Sequence, residues 1–134
     1  MVNKILITGG SGFIGSALVS KLAMDKNNEI YVIDIEEPKI NLTAKYEKMD
    51  IRSNQIQSYL QKIKPNKIIH LAAQASVAIS SKDPILDNDV NVGGSLNILK
   101  SATQLNLSQF VFFSTGGAIY GEEVGKKFNE ENIV

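Results

Sequence analysis

Cysteine and tryptophan are absent from the 134 residues, and histidine occurs once, as His70. Without cysteine there is no disulfide framework and no thiolate nucleophile, a composition that suits the cytoplasm. A single histidine cannot anchor a histidine metal cluster, and no metal site is expected. Charge of one sign is not in excess either: 14 Lys and Arg balance 14 Asp and Glu, and Arg52 is the one arginine. That balance leaves no electrostatic footprint for nucleic acid. No apolar run approaches the ~18 residues of a membrane span, so no membrane partner is expected. The run at residues 2–7 is too short for a signal-peptide core, and no clean cleavage site follows it. What is present is a 43% hydrophobic composition in a chain of domain length, enough for one globular domain with its own core.

Short apolar runs at residues 5–7, 30–33, 68–71 and 110–113 alternate with helical patterns. Consecutive apolar positions of this kind mark parallel strands covered on both faces. A weaker strand is expected at residues 45–50. Residues 12–26 place Phe13, Ala17, Leu18 and Leu22 on one helical face. Ser53 is the expected N-cap of a helix carrying Ile56, Tyr59, Leu60 and Ile63, which Pro65 ends. Asp83-Pro84 opens a long third helix with Leu86, Val90, Ile98, Leu99, Ala102 and Leu105. The resulting order, β-α-β-β-α-β-α-β with right-handed crossovers, predicts an α/β fold. It is a Rossmann-type doubly wound parallel sheet of strand order 3-2-1-4-5, incomplete at its C-terminal side.

The first strand runs directly into "TGGSGFIG", residues 8–15. Three glycines at three-residue spacing between a strand and a helix exceed what a turn alone requires. Gly9 suits a tight turn, Gly12 lets a pyrophosphate approach the backbone, and Gly15 lets the helix pack against the strand. Phosphates would then lie on the unpaired N–H groups at the positive helix end. A ligand-free βα turn is the plainer alternative, but the second half of the dinucleotide fingerprint is also present. Asp34 ends the second strand, where a carboxylate accepts hydrogen bonds from an adenosine ribose diol and repels a 2′-phosphate. The expected cofactor is NAD rather than NADP.

With these residues in place the chain resembles the extended short-chain dehydrogenase/reductase family, the NAD-dependent sugar-nucleotide epimerases and dehydratases. Asp50-Ile51 is similar to the pair that holds adenine in that family. "HLAAQASV", residues 70–77, resembles the fourth-strand segment beside the pyrophosphate and nicotinamide ribose. "NVGGSLNIL", residues 91–99, resembles the Asn-Val-x-Gly-Thr helix, with Ser95 in place of Thr. "FFSTGGAIYG", residues 112–121, resembles the loop that brings a catalytic Ser or Thr to the sugar. A methyltransferase, another user of a glycine loop and a strand-two acid, would not show the last three.

The resemblance implies cofactor contacts from Gly9, Gly12, Phe13, Ile14 and Gly15, from Asp34 and Ile35, and from Asp50 and Ile51. Leu71, Ala72, Ala73, Gln74 and Asn91 would carry the nicotinamide half, and Thr115, with Ser114 second, would supply the catalytic hydroxyl. The family's usual hydroxyl position falls on Gly116, which has no side chain. Family dehydratases carry Asp-Glu where this chain has Gly117 and Ala118, so an epimerase resembling the UDP-glucose 4-epimerases is favoured. Its substrate would be a UDP-sugar, and the full-length protein a homodimer. The family's Tyr-x-x-x-Lys base has no match in the sequence. Residues 1–134 are therefore expected to be a truncated NAD-binding domain, inactive alone, with the Tyr-Lys segment and substrate domain absent. A non-catalytic NAD-binding or interaction module, and a dehydratase or reductase relative, are the alternatives.

Other residues have plainer expectations. His70 reads as a packed, hydrogen-bonded core histidine. Asn91, unfavourable inside a helix, is expected to make a specific bond. Asp87, Asp89, Glu122, Glu123, Glu130 and Glu131 read as solvated surface charge.

Overall fold

The structure is a computed structural model that describes residues 2–38, 43–120 and 127–131. Glu122 and Glu123 lie outside the described residues, while Glu130 and Glu131 are exposed as expected. Among the described residues, five parallel strands form one sheet in the order β3-β2-β1-β4-β5, the predicted topology. They are β1 (Asn3–Thr8), β2 (Asn28–Asp34), β3 (Lys45–Lys48), β4 (Lys67–His70) and β5 (Gln109–Phe112). Parallel pairing brings the C-terminal ends of all five to one rim. Thr8 lies opposite Ile33 and His70, and His70 lies opposite Phe112.

Side-chain alternation along the strands divides the interior into two cores. Leu6, Tyr31, Ile33 and Ile68 point to one face, where helix α2 (Ile56–Ile63) adds Ile56, Leu60 and Ile63. Helix α5 (Ser95–Ala102) adds Ile98 and Ala102 to the same face. Ile5, Ile7, Ile30 and Val32 point to the other face, which α1 (Phe13–Leu22) covers with Val19. The alternation explains why the strands read as continuous apolar runs: both faces are covered. The edge strand β5 is only partly covered, and Phe112 and Phe113 remain 56% and 45% exposed. Among the described residues no helix is long and apolar enough to cross a membrane.

Helices depart from the sequence expectation in four places. In α1 the buried residues are Gly15 and Val19, with Leu18 and Leu22 partly buried, while Phe13 and Ala17 face out. The helix rests on the glycine turn through Gly15, and that contact rotates the expected stripe. Ser53 does not cap α2; its hydroxyl accepts from the Gln55 N–H in the preceding turn, and Gln55 occupies the cap position. Lys64, in a left-handed conformation with φ 48°, ends α2 one residue before Pro65. Between β4 and the long helix lies the unexpected α3 (Val77–Lys82), capped by Ser76 and without a buried residue.

The long helix itself is three segments. Asp83 caps α4 (Pro84–Asn88), a π-helical turn covers Asp89–Gly94, and α5 follows. In an α-helix, residues four apart drift about 40° around the axis. The wider π turn reduces that drift, and Ser95 reaches His70 at the end of β4 while Asp87 and Asn91 reach Gln74 in the segment that follows it. Gly94 is buried against Ile51, where an added Cβ would lie 2.5 Å from Ile51 Cδ1. Asn97 fixes the same loop by donating to the Ile51 and Ser53 carbonyls at 2.7 and 2.9 Å.

The packing generates two expectations. Leu60→Ala removes a fully buried side chain and is expected to cost about 2–5 kcal/mol in urea denaturation. Gly15→Ala would place a Cβ 2.2 Å from the Gly9 carbonyl oxygen and 2.6 Å from Gly10 Cα. Both obstacles are backbone, so the variant is expected to lose at least about 1–3 kcal/mol, the scale of core overpacking, in the same assay.

Candidate cofactor site

The rim of the sheet is built around the glycine turn. Gly9 leaves β1 with φ 72°, a left-handed conformation, and its N–H donates to the Ile33 carbonyl at 2.9 Å. Side-chain space is closed here, since a Cβ on Gly9 would lie 2.7 Å from the Ala72 nitrogen. Gly12 differs: its nearest obstacle is the Gly9 oxygen at 3.4 Å, so a hydrogen there faces open space. Gly12 is also the N-cap of α1 and provides no side-chain cap, and the first turn holds no acid. The positive end of α1 therefore opens onto an uncluttered groove.

Asp34 stands across that groove with its carboxylate oriented by backbone. Oδ2 accepts from the Ser11 N–H at 2.9 Å and Oδ1 from the Glu36 N–H at 3.1 Å. Each oxygen keeps lone-pair capacity for a further donor. Beside it the Ser11 Oγ is buried and has no hydrogen-bond partner among the described residues. An unpaired buried hydroxyl is costly, and this one borders the same cavity as Asp34.

Two adjoining cavities share the glycine turn and the segment after β4. The first, about 660 Å³, is bordered by Gly9, Gly12, Asp34, Ile35, Asp50, Ile51 and residues 71–74. The second, about 790 Å³, is bordered by Gly9, Gly12, Phe13, Ile14, Gly15, residues 71–74, Asn91, Ser114 and Thr115. The structure thus brings all the candidate residues to one rim, but their side chains differ in what they offer. Ile51 is only 4% exposed and spends its side chain on the core. Asp50 accepts from the Arg52 backbone and guanidinium, which holds its carboxyl below the usual carboxylate range. The same guanidinium bonds Asp89 at 2.8 Å, so Asp89 is not merely solvated.

Asn91 makes the specific bond its position required. Its Oδ1 accepts from the Gln74 N–H at 2.8 Å and its Nδ2 donates to the Gln74 carbonyl at 2.9 Å. The amide is engaged by protein backbone and holds the wall of the groove. Asp87, expected on the solvent face, is half-buried and accepts from Ser80, Gln74 and Asn91. Its local sequence looks like any acidic first turn; only the partners reveal the role. Thr115 and Ser114 are exposed at the mouth of the second cavity, and the Thr115 carbonyl accepts from Ile119 at the start of α6 (Gly116–Tyr120).

His70 is 2% exposed and hydrogen-bonded on both nitrogens, to Thr8 at 2.6 Å and to Ser95 at 3.0 Å, as expected for a packed histidine. Burial pushes its imidazole below the ordinary histidine value. Ser11, Thr8, Ser80 and Ser95 were not legible as parts of the rim. Thr8 and Ser95 find their partner His70 in a distant stretch of chain, Ser80 bonds Asp87 in the neighbouring helix, and Ser11 joins the rim through its backbone N–H on Asp34.

Comparison with known proteins gives the geometry its context. CDP-paratose 2-epimerase of Salmonella typhi is 33% identical over 138 residues, covering 95% of this chain and 40% of that protein. The crystal structure of UDP-glucose 4-epimerase from Thermotoga maritima, solved with UDP-glucose, superposes with a TM-score of 0.83 at 40% identity. It covers 93% of this chain and 41% of that one. The UDP-glucose 4-epimerase of Thermus thermophilus, solved with NAD, gives a TM-score of 0.86 at 37% identity, over 95% and 42% of the two chains. The chain spans about 40% of the length of the curated relatives it matches. The NAD dependent epimerase/dehydratase family matches residues 5–133, so a strand-turn-helix with an open Gly12 and a backbone-held acid lies within a match to nearly the whole sequence; the chain belongs to that family.

Proposed function

We propose that this chain is the NAD-binding part of a sugar-nucleotide 4-epimerase resembling the UDP-glucose enzymes, with residues 1–134 forming the dinucleotide-binding domain. The observation that carries the reading is the Asp34 carboxylate, held by the Ser11 and Glu36 N–H groups beside the unpartnered Ser11 hydroxyl. A ribose diol donates to such a carboxylate, and a further polar group satisfies Ser11. The open space at Gly12, at the uncapped end of α1, suits a pyrophosphate. These features fit the dinucleotide. A 2′-phosphate is disfavoured, because Glu36 and Glu37 border the same cavity and Arg52 is committed to Asp50 and Asp89.

When bound in the groove bordered by Gly12, Asp34 and residues 71–74, NAD would supply reversible hydride-acceptor chemistry for a sugar carbon. The chain's own task is to bind, orient and donate hydrogen bonds. In this reading Thr115, with Ser114 second, hydrogen-bonds the reacting sugar hydroxyl at the mouth of the second cavity. No tyrosine in these residues has a lysine four positions on, so proton removal is proposed for another part of the protein. Gly117 and Ala118, where family dehydratases carry an acid pair, favour epimerisation over elimination. The same resemblance supports a UDP-sugar substrate and a cytoplasmic homodimer.

Calorimetric titration is expected to show NAD binding well ahead of NADP; equal affinity would contradict the role given to Asp34. Asp34→Ala is expected to weaken NAD binding by about 1–3 kcal/mol, the scale of hydrogen bonds to a charged group. Gly12→Val is expected to abolish NAD binding while circular dichroism and the unfolding midpoint change little, since the branched side chain enters open groove rather than the core. Normal NAD affinity in that variant would remove the pyrophosphate from this position.

A further inference from the structure

The one histidine of the chain is buried in the wall of the groove and has no part in the chemistry proposed above. Its hydrogen bonds fix its protonation. Thr8 Oγ1 accepts from the Ala72 N–H at 3.1 Å and, at 3.2 Å, from the Leu71 N–H, which it shares with the Thr8 carbonyl at 3.1 Å, so both acceptor positions of the hydroxyl face amides. The hydroxyl proton is then directed at His70 Nδ1, 2.6 Å away. Nδ1 must carry the lone pair, so Nε2 carries the proton and donates to Ser95 Oγ at 3.0 Å. The result is a continuous chain from two backbone amides through Thr8 and His70 to α5.

The two amides belong to the stretch that lies over Gly9, where the Ala72 nitrogen would be 2.7 Å from an added Cβ. Residues 71–74 also border both cavities. This wall is anchored at its far end by Asn91 on the Gln74 backbone, and at its near end by Thr8 and His70. We propose that His70 is a positioning residue for the cofactor: as the neutral Nε2–H tautomer it locks Thr8 onto the Leu71 and Ala72 amides and so pre-forms the groove wall. The inference rests on the NAD reading given above. A wall held before binding spares the cofactor the cost of ordering it.

Protonating the ring would undo the lock. An imidazolium donates from both nitrogens, and its Nδ1–H would meet a Thr8 hydroxyl whose acceptor positions are filled, so Thr8 must release an amide. The ring's partners among the described residues are uncharged. His70 faces Thr8 on β1, the Phe110 and Phe112 rings on β5, and Ser95 on α5. Asp87, the acid on the same helix face, is committed to Ser80 and Gln74. Burial already favours the neutral ring. With the folded value below the ordinary ~6.5, the lock is complete above that value and is lost as pH falls toward the folded value.

The test is NAD titration of the 134-residue chain and two variants between about pH 7.5 and 6.5, a range in which burial keeps the folded ring neutral. The wild-type affinity is expected to stay level across it. His70→Gln, which accepts and donates as the neutral ring does, should stay within about threefold of wild type. His70→Leu should bind about tenfold more weakly throughout, because Thr8 and Ser95 lose their partner. Nitrogen-15 spectra of the wild-type imidazole should report the Nε2–H tautomer. An Nδ1–H tautomer, a loss of affinity in His70→Gln as large as in His70→Leu, or full affinity in a folded His70→Leu would each overturn the proposal. If His70→Leu does not fold, the His70→Gln affinity and the tautomer decide. Absence of NAD binding by the wild type at pH 7.5 would overturn the NAD reading itself and the positioning role with it, a result distinct from binding that ignores His70.

Discussion

The contact between Gly15 and the Gly9 carbonyl fixes where the first helix begins, and much of the rim follows from it. An added Cβ would lie 2.2 Å from that oxygen, a distance no side chain tolerates. Because α1 can approach so closely, Val19 reaches the core of one sheet face and Gly12 is left at an open helix end. The Ser11 N–H is turned toward Asp34 within the same loop. One steric constraint thus sets a packing interface, an anion-receptive helix end and the orientation of an acid.

Opposite the glycine turn, the wall at residues 71–74 is held by bonds that no single element could supply. Thr8 belongs to β1, His70 to β4, Ser95 to α5 and Asn91 to the π turn. The π turn has a function in this arrangement. It keeps Asp87, Asn91 and Ser95 facing one stretch of chain, while Gly94 and Ile98 still pack inward against Ile51 and the sheet. Buried polar groups arranged in satisfied networks of this kind make a site rigid.

The sheet was legible in the sequence because strand period, glycine spacing and the acid after the second strand all pointed the same way. The side of α1 that faces the sheet was not, since its direction depends on a backbone contact at Gly15 rather than on apolar spacing. Helix α3 carries no buried residue and so leaves no amphipathic signal. The π turn was equally hidden: its sequence reads as a weakened α-helix, and its cause lies in partners from β4 and the loop after β3. Site residues divide the same way. Gly12 and Asp34 were readable because a short local pattern defines them, whereas the engagement of Asp50 by Arg52 and of Asn91 by Gln74 appears only once distant segments meet.

The central claim is that the groove between the glycine turn, Asp34 and residues 71–74 receives a dinucleotide. Backbone amide spectra of the isotope-labelled chain, recorded during addition of NAD, address it most directly. The account predicts that the largest shifts fall on Ser11, Gly12, Phe13 and residues 71–74, with smaller ones at Asp34 and Ile35. Saturating shifts confined to another surface, or no shift at NAD concentrations of about 10 mM, a range far above useful affinity, would contradict it.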